Sequence, residues 1–316
     1  MEIQEVTLQE YSSKIIHPYH IYGSGAFSEI NKNKVDKLFY LLFKNDKNKY
    51  YFGLTGGIKE NSFQTPFSSP FGGFVPLRKD VSIKIVEEVV SAITIWCDEK
   101  GFKTVSFTLP PNIYYQTFIS KQVNSLFRLG YTINNLELNH SFDLHNFGAE
   151  YIQKISRSAR RNIIKARSNR LTFKKCVTID EQYLAYEVIE NNRKMRGFPL
   201  RMSWNDIKIT SKIIQSVYFL VFNPEGIPIA SAILFHVASE IVQIIYWGDL
   251  PEYSEMRTMN YLSLKIFEYY KTLKVRLIDI GPSSENSVPN YGLCDFKESI
   301  GCDVSIKYSL MKDLKR

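Results

Sequence analysis

No run of 18 or more apolar residues occurs in the 316-residue chain, so no segment reads as a membrane-crossing helix. The opening residues, Met1-Glu-Ile-Gln-Glu5, lack the basic-then-apolar pattern of a secretory leader. The expectation is a soluble, cytoplasmic protein. Cysteine is scarce: Cys97, Cys176, Cys294 and Cys302 stand far apart with no C-x-x-C pair, which argues against a zinc ribbon and a disulfide scaffold and favours reduced thiols. His17 and His20 are three apart, but no later histidine cluster completes a ligand set, so no metal is expected. With 16 Gly and 12 Pro the chain is neither collagen-like nor low-complexity.

Signature loops are missing too. There is no G-x-x-x-x-G-K-[ST] and no G-x-S-x-G, which removes P-loop and α/β-hydrolase chemistry. Gly23-Ser-Gly25 begins like a dinucleotide fingerprint, but Ser28 occupies the third glycine's place and no strand of a βαβ unit precedes it. His236 alternates with apolar neighbours and reads as a core histidine.

What is present is an ordinary globular composition, 44% hydrophobic and 23% charged, in a chain long enough for about two domains. Forty Lys and Arg against 32 Asp and Glu leave a net charge of +8, which favours an anionic partner such as a phosphorylated cofactor, a nucleic acid or an acidic membrane surface. The 21 Phe and 20 Tyr read as core packing.

Element signals repeat along the chain. Lys37-Leu-Phe-Tyr-Leu-Leu-Phe-Lys44 and Tyr50-Tyr-Phe-Gly-Leu-Thr55 form a hairpin across a polar turn, followed by the irregular loop Gln64-Thr-Pro-Phe-Ser-Ser-Pro-Phe-Gly-Gly-Phe74. In that loop Phe67, Phe71 and Phe74 are read as sealing a domain interface. A helix capped by Asp80 runs to about Lys100, then a strand from Phe102 to Leu109, a helix from Tyr114 to Leu129 and a strand from Tyr131 to Leu144. The second half repeats the order. Tyr218 to Phe222, Ile227 to Val237 and Glu240 to Trp247 are strands, Met256 to Leu273 a helix, Val275 to Ile280 a strand, Asn290 to Ile300 a helix and Cys302 to Leu310 a strand. The boundary falls near Phe147, giving domains 1–146 and 147–316.

Between the halves, Lys154, Arg157, Arg160, Arg161, Lys165, Arg167, Arg170, Lys174 and Lys175 occur without an intervening acid. Ser156 or Ser158 caps a helix there whose inner face is Ile155, Ala159 or Asn162, Ile163 and Ala166, leaving the cations outside.

This order, together with several short motifs, resembles the FemAB-like branch of the GNAT acyltransferase superfamily. Ser68-Ser-Pro-Phe-Gly-Gly73 is similar to the Ser-Pro and Gly-Gly signature of the first domain there, and Arg160-Arg-Asn-Ile-Ile-Lys-Ala-Arg167 to an R-x-x-I-x-K-A segment. Asn192-Arg-Lys-Met-Arg-Gly-Phe-Pro-Leu200 resembles an R-x-G-x-P turn that brings in Arg193 and Arg196. Asp279-Ile-Gly281 resembles a D-x-G strand end, and Asp295-Phe-Lys-Glu-Ser-Ile-Gly301 an F-K-x-x-x-G helix. The likeness spans residues 15–312.

The resemblance implies an α/β fold with mixed sheets: two tandem GNAT-like domains, each a central sheet flanked by helices. It implies transfer of an acyl group from acetyl-CoA, another acyl-CoA or an acyl carrier to an amine on a cell-envelope or polysaccharide precursor, small or linked to a lipid or nucleotide. Aminoacyl-tRNA as donor is the alternative, with tRNA on the basic helix at Arg157, Arg160 and Arg161. A binding protein that keeps the fold without catalysis is a third reading. The two splayed strands of such a domain would be Ile227–Val237 and Glu240–Trp247, with the donor's pyrophosphate at the turn Leu250–Thr258. That turn holds Arg257 but also Glu252 and Glu255 in place of a glycine-rich loop.

Amine acylation needs a proton acceptor and donors for an oxyanion. Asp279 ends a strand where open α/β sheets place ligands, and Asp279 or Glu285 is the candidate base, with Tyr291 a proton or hydrogen-bond donor. Tyr246, Trp247, Asp249, Arg257 and Asn260 are candidate donor-binding residues. Ser283, Ser284, Asn286 and Lys297, with the arginines named above, are candidates for the acceptor side.

Overall fold

The computed structural model describes residues 1–273 and 275–314. In chain order the first part contains β1 (Glu2–Glu5), α1 (Leu8–Lys14), α2 (Gly25–Ile30), β2 (Lys37–Lys44), β3 (Tyr50–Lys59), β4 (Ser62–Thr65), β5 (Val75–Pro76), α3 (Ile83–Glu99), β6 (Thr104–Thr108), α4 (Gln116–Arg128) and β7 (Thr132–Asp143). There follow α5 (Tyr151–Lys154), α6 (Arg157–Ser168), β8 (Thr172–Lys175), α7 (Ile179–Met195), α8 (Trp204–Thr210), β9 (Ser216–Phe222), β10 (Pro228–Ala238) and β11 (Ile241–Asp249). The last are α9 (Thr258–Lys271), β12 (Leu277–Pro282), the short β13 (Ser284–Glu285) and β14 (Val288–Pro289), α10 (Tyr291–Ser299) and β15 (Asp303–Asp313). Among the described residues no helix is long and apolar enough to cross a membrane.

The chain divides into two units, neither continuous in sequence. One comprises residues 1–138, 284–288 and those from 305 onward; the other comprises 139–283 and 289–304. In the first, strands run in the order β1-β2-β3-β4-β6-β15. Asn45 builds the β2–β3 turn, its Oδ1 accepting the Lys47 and Lys49 N–H groups at 3.1 and 2.9 Å. Helix α3 carries the chain from β4 to its parallel neighbour β6. β15 then pairs antiparallel with β6, Ser309 opposite Thr108 through Asp313 opposite Thr104. The core is rich in phenylalanine: Phe39, Phe43, Phe52, Phe63, Phe74 and Phe107 pack with Val86, Val89, Ile93, Leu126 and Leu310.

Two expectations change here. Ser82, rather than Asp80, caps α3, its hydroxyl accepting the Ile85 N–H; capping needs a side chain directly before the first helical turn, and Asp80 lies two residues too early. Phe71 and Phe74 belong to the first unit's own interior, Phe74 against Phe43, Phe52 and Phe107, and Phe71 against His20, Tyr22 and Tyr114. The loop reaches inward because Gly72 N–H binds the Thr108 carbonyl and Gly73 N–H the Thr65 hydroxyl.

The second unit has the strand order β7-β12-β11-β10-β9-β8, with β7 represented by residues 139–143. α9 connects β11 to its parallel neighbour β12, as α3 connects β4 to β6. Both units are mixed sheets flanked by helices. Ser156 caps α6 through the Ala159 N–H at 3.1 Å, and Ala159, Ile163 and Ala166 face inward as their spacing requires. Phe142 stacks on Phe267 with ring centroids 3.9 Å apart, within a core that includes Ile163, Phe219, Leu262 and Tyr270. A capping box of Thr178 and Glu181 starts α7, which extends through Arg193 to Met195 before Gly197 turns the chain at φ +71°.

Candidate active site

Strands β11 and β12 begin as neighbours and separate. Their parallel register runs through Ile241/Leu277, Val242/Ile278 and Gln243/Asp279, whereas β11 continues to Asp249 and β12 to Pro282. Two irregularities lie at that level. Against β10, register shifts between the pairs Ile233/Tyr246 and Leu234/Ile244, so Ile245 is an extra residue in β11. Against β7, it shifts between Asp279/Ser141 and Gly281/His140, so Ile280 is an extra residue in β12. A bulge bends its strand and locally increases the twist, and two at one height open the sheet between them. Gly281 adopts φ +81°, and a Cβ there would stand 4.0 Å from the Ile244 carbonyl oxygen. β10 and β11, expected to splay, instead stay antiparallel partners from Ala230/Asp249 to Ala238/Ile241, because a short turn joins them while β11 and β12 are tied only through a crossover.

At the floor of this opening is a buried polar network. The Asp279 carboxylate is fully buried; its Oδ1 accepts Asn139 Nδ2 at 2.8 Å and the Gly281 N–H at 3.0 Å, and its Oδ2 accepts Gln243 Nε2 at 2.8 Å. Lys297 reaches it from α10. This lysine is 1% exposed and donates from Nζ to the carbonyls of Gly281 at 2.9 Å and Pro282 at 3.0 Å. Burial pushes its pKa down to about 8, against the opposing influence of Cys302, Asp279 and Cys294. Ser283 shares a hydrogen bond of 2.9 Å with His140 Nδ1, and the Ser283 carbonyl accepts the Asn290 N–H at 2.8 Å. The strap 281–283 is thus held at every residue.

The far end of β11 is fixed by α7 and α9. Asp249 Oδ2 accepts the Thr258 hydroxyl at 2.7 Å, Oδ1 faces Arg196 Nη2 at 3.2 Å, and its backbone carbonyl accepts Asn192 Nδ2 at 2.6 Å. Gly248 makes room for Asn192, whose side-chain atoms would lie 2.7 Å from any Cβ there. Arg193 lies over the Tyr246 ring at 5.8 Å and the Phe198 ring at 6.0 Å, and its Nε has no hydrogen-bond partner. The Tyr246 hydroxyl accepts the Met202 N–H at 3.2 Å, and Trp247 packs against Phe296. Asn260 is buried in α9, and its carbonyl accepts the Ser263 hydroxyl. Arg257, left-handed at φ +58°, precedes α9 and lies 3.6 Å from Glu255, which also pairs with Lys165 at 3.2 Å. These cations hold the Glu255 carboxyl below its usual range, the Lys165 hydrogen bond contributing most.

The structure therefore brings Asp279, Ser283 and Lys297 together, and places Tyr246, Trp247, Asp249, Arg193 and Arg196 along one strand end. It groups Ser284, Glu285 and Asn286 with the other unit, where the Ser284 hydroxyl donates to Glu137. Tyr291 is 76% exposed in the first turn of α10, and Arg157, Arg160 and Arg161 lie on α6. Gln243, Asn139, His140, Asn192 and Thr258 escape the sequence reading. Only Gln243 carries a signal, a polar residue in the apolar run Ile241-Val-Gln-Ile-Ile245; Asn139 and His140 sit in the polar strand β7, and Asn192 and Thr258 in helices, where a buried polar side chain has no short-range marker. Among the described residues no group of three or more His, Cys, Asp or Glu side chains is placed to hold a metal ion.

A mixed sheet parted between two parallel strands, with a helix leaving the end of the first and the arrangement of strands and crossover helices repeated in a second unit, is a tandem GNAT fold. The chain is similar in structure to FemX, at a TM-score of 0.70 and 12% identity over 99% of this chain and 98% of that one. It is similar to L-PGS from Bacillus licheniformis, at 0.61 and 13% over 99% and 94%. A tandem GNAT protein from the clavulanic acid biosynthesis pathway aligns at 0.57 and 8% over 100% and 99%. No family model and no curated protein matches the sequence.

Proposed function

We propose that this chain is an N-acyltransferase, taking an acyl group from a thioester donor, an acyl-CoA or acyl carrier, to an amine on a cell-envelope or polysaccharide precursor. The observation that carries the reading is the opening between β11 and β12, with Lys297 and Asp279 at its floor. An extended thioester arm fits such a gap, because backbone N–H and C=O groups beyond Gln243 can serve it as a missing strand. A CoA pyrophosphate would be held by the start of α9 and by Arg257, whose neighbour Glu255 is already offset by Lys165.

In the reaction the acceptor nitrogen forms a bond to the acyl carbon, the C–S bond breaks, and the amine proton passes through water to the departing thiolate. The Lys297 ammonium, with two of its N–H groups held by Gly281 and Pro282, directs its remaining charge toward the developing oxyanion. Asp279 acts as a positioning residue, because both of its oxygens already accept donors that fix the Gly281 strap and Gln243. Arg193 and Tyr246 line the acceptor side at the end of β11.

Calorimetric titration with acetyl-CoA against free CoA, followed by thiol-release assays with amino-sugar acceptors, tests the reading. One-to-one binding with turnover is expected, and Lys297→Met is expected to keep binding while losing at least about 100-fold in kcat. Binding without turnover for any acceptor favours a non-catalytic role. Absence of binding to acyl-CoA and to acyl carrier protein overturns the thioester reading.

A further inference from the structure

Helix α6 buries Ala159, Ile163 and Ala166, so Arg157, Arg161, Ile164 and Lys165 lie along its opposite crest, with Arg160 and Arg167 on the shoulders. Residues 151–179 contain no Asp or Glu. Lys165 pairs with Glu255, and Arg160 donates to the Gln153 carbonyl. Among the described residues, Arg157, Arg161, Arg167 and Arg170 have neither an ion-pair nor a hydrogen-bond partner. Ile164, amid these cations, is 60% exposed.

We propose that this face of α6 docks the protein on an anionic lipid surface. Phosphate headgroups answer the unpartnered Arg157 and Arg161 on this crest, with Arg167 beside it, each cation near such a surface contributing attraction of its own. The exposed isoleucine supplies what charge alone does not use: an aliphatic side chain at the crest of a basic helix enters the boundary between headgroups and acyl chains. A nucleic acid satisfies the arginines but leaves Ile164 in water, and α6 offers no aromatic ring on which a base could stack. Docking here does not depend on the acyl-transfer chemistry, and its test needs no turnover.

The experiment is flotation of the full chain with vesicles of phosphatidylcholine alone or mixed with phosphatidylglycerol, at low and moderate salt. Binding is expected only to the mixed vesicles and is expected to weaken with salt. The pair Arg157→Gln and Arg161→Gln is expected to lower partitioning on the order of 25-fold, from the loss of two cations. Ile164→Ser is expected to lower it several-fold without altering the thermal midpoint, since the side chain is exposed. Equal binding to both vesicle types, or none, overturns the proposal. So does retention of a short RNA duplex that the arginine pair abolishes while Ile164→Ser changes neither RNA nor vesicle binding, an outcome that assigns the face to nucleic acid.

Discussion

Replacing Lys297 by methionine separates the effect of its charge from that of its volume. The lysine is buried, and its pKa falls from 10.5 to about 8. Below pH 8 the group is protonated in both folded and unfolded chains, and the folded state carries the full desolvation penalty. Between pH 8 and 10.5 the native protein has released a proton that the unfolded chain still holds, so stability rises with pH across this window. The rise amounts to ~3 kcal/mol, from ~1.4 kcal/mol for each tenfold change in proton affinity. Methionine removes this dependence and leaves the Gly281 and Pro282 carbonyls without their donor, a cost of about 1–3 kcal/mol apiece that does not vary with pH. Urea unfolding of both proteins at intervals from pH 7 to 10.5 measures the comparison. The stability difference in favour of the natural chain is expected to widen by ~3 kcal/mol over that range. A difference constant to within about 0.5 kcal/mol would mean that Lys297 titrates like a solvated lysine, and the argument that it presents a desolvated charge to the opening would fail.

Two further changes probe the fold around the site. Asp279→Asn sets an amide N–H₂ against the donors of Gln243 or of Asn139 and Gly281, and is expected to destabilise by about 2–4 kcal/mol; an unchanged urea midpoint would refute the bonding described for that carboxylate. A chain ending at Val304 loses the β15 pairing to β6 and the buried Leu310, worth ~2 kcal/mol for the side chain and ~1 kcal/mol for each lost ladder bond. That sum approaches the stability of a whole domain, so rapid proteolysis within residues 1–138 is expected, and full protection there would contradict it.

Periodicity and capping made most of the framework legible. The hairpin of β2 and β3, the inward stripe Ala159, Ile163, Ala166 of α6, and the helix that begins after Asn290 follow from residue spacing and local hydrogen bonding alone. Asp279 and Lys297 were also visible as candidates, since one ends an apolar strand and the other lies in a short motif. Which strands part was not legible. The separation depends on extra residues at Ile245 and Ile280; nothing in Ile244-Ile-Tyr246 marks a bulge, and Gly281, which follows Ile280, hints at an irregular strand without telling which neighbour it parts from. Likewise the network around Asp279 joins Asn139 to a residue 140 positions away, and no short-range signal records such a pairing.

The placement of β15 also bears on synthesis. A ribosome makes residues 1–138 first, yet the strand that pairs with β6 is not translated until after α10. Until β15 is made, the nascent first unit displays at β6 an open row of backbone N–H and C=O groups, the kind of edge that recruits foreign strands. Until β15 emerges that edge stays exposed, so the unit whose strands are made earlier closes its sheet only after α10 of the other unit has been translated.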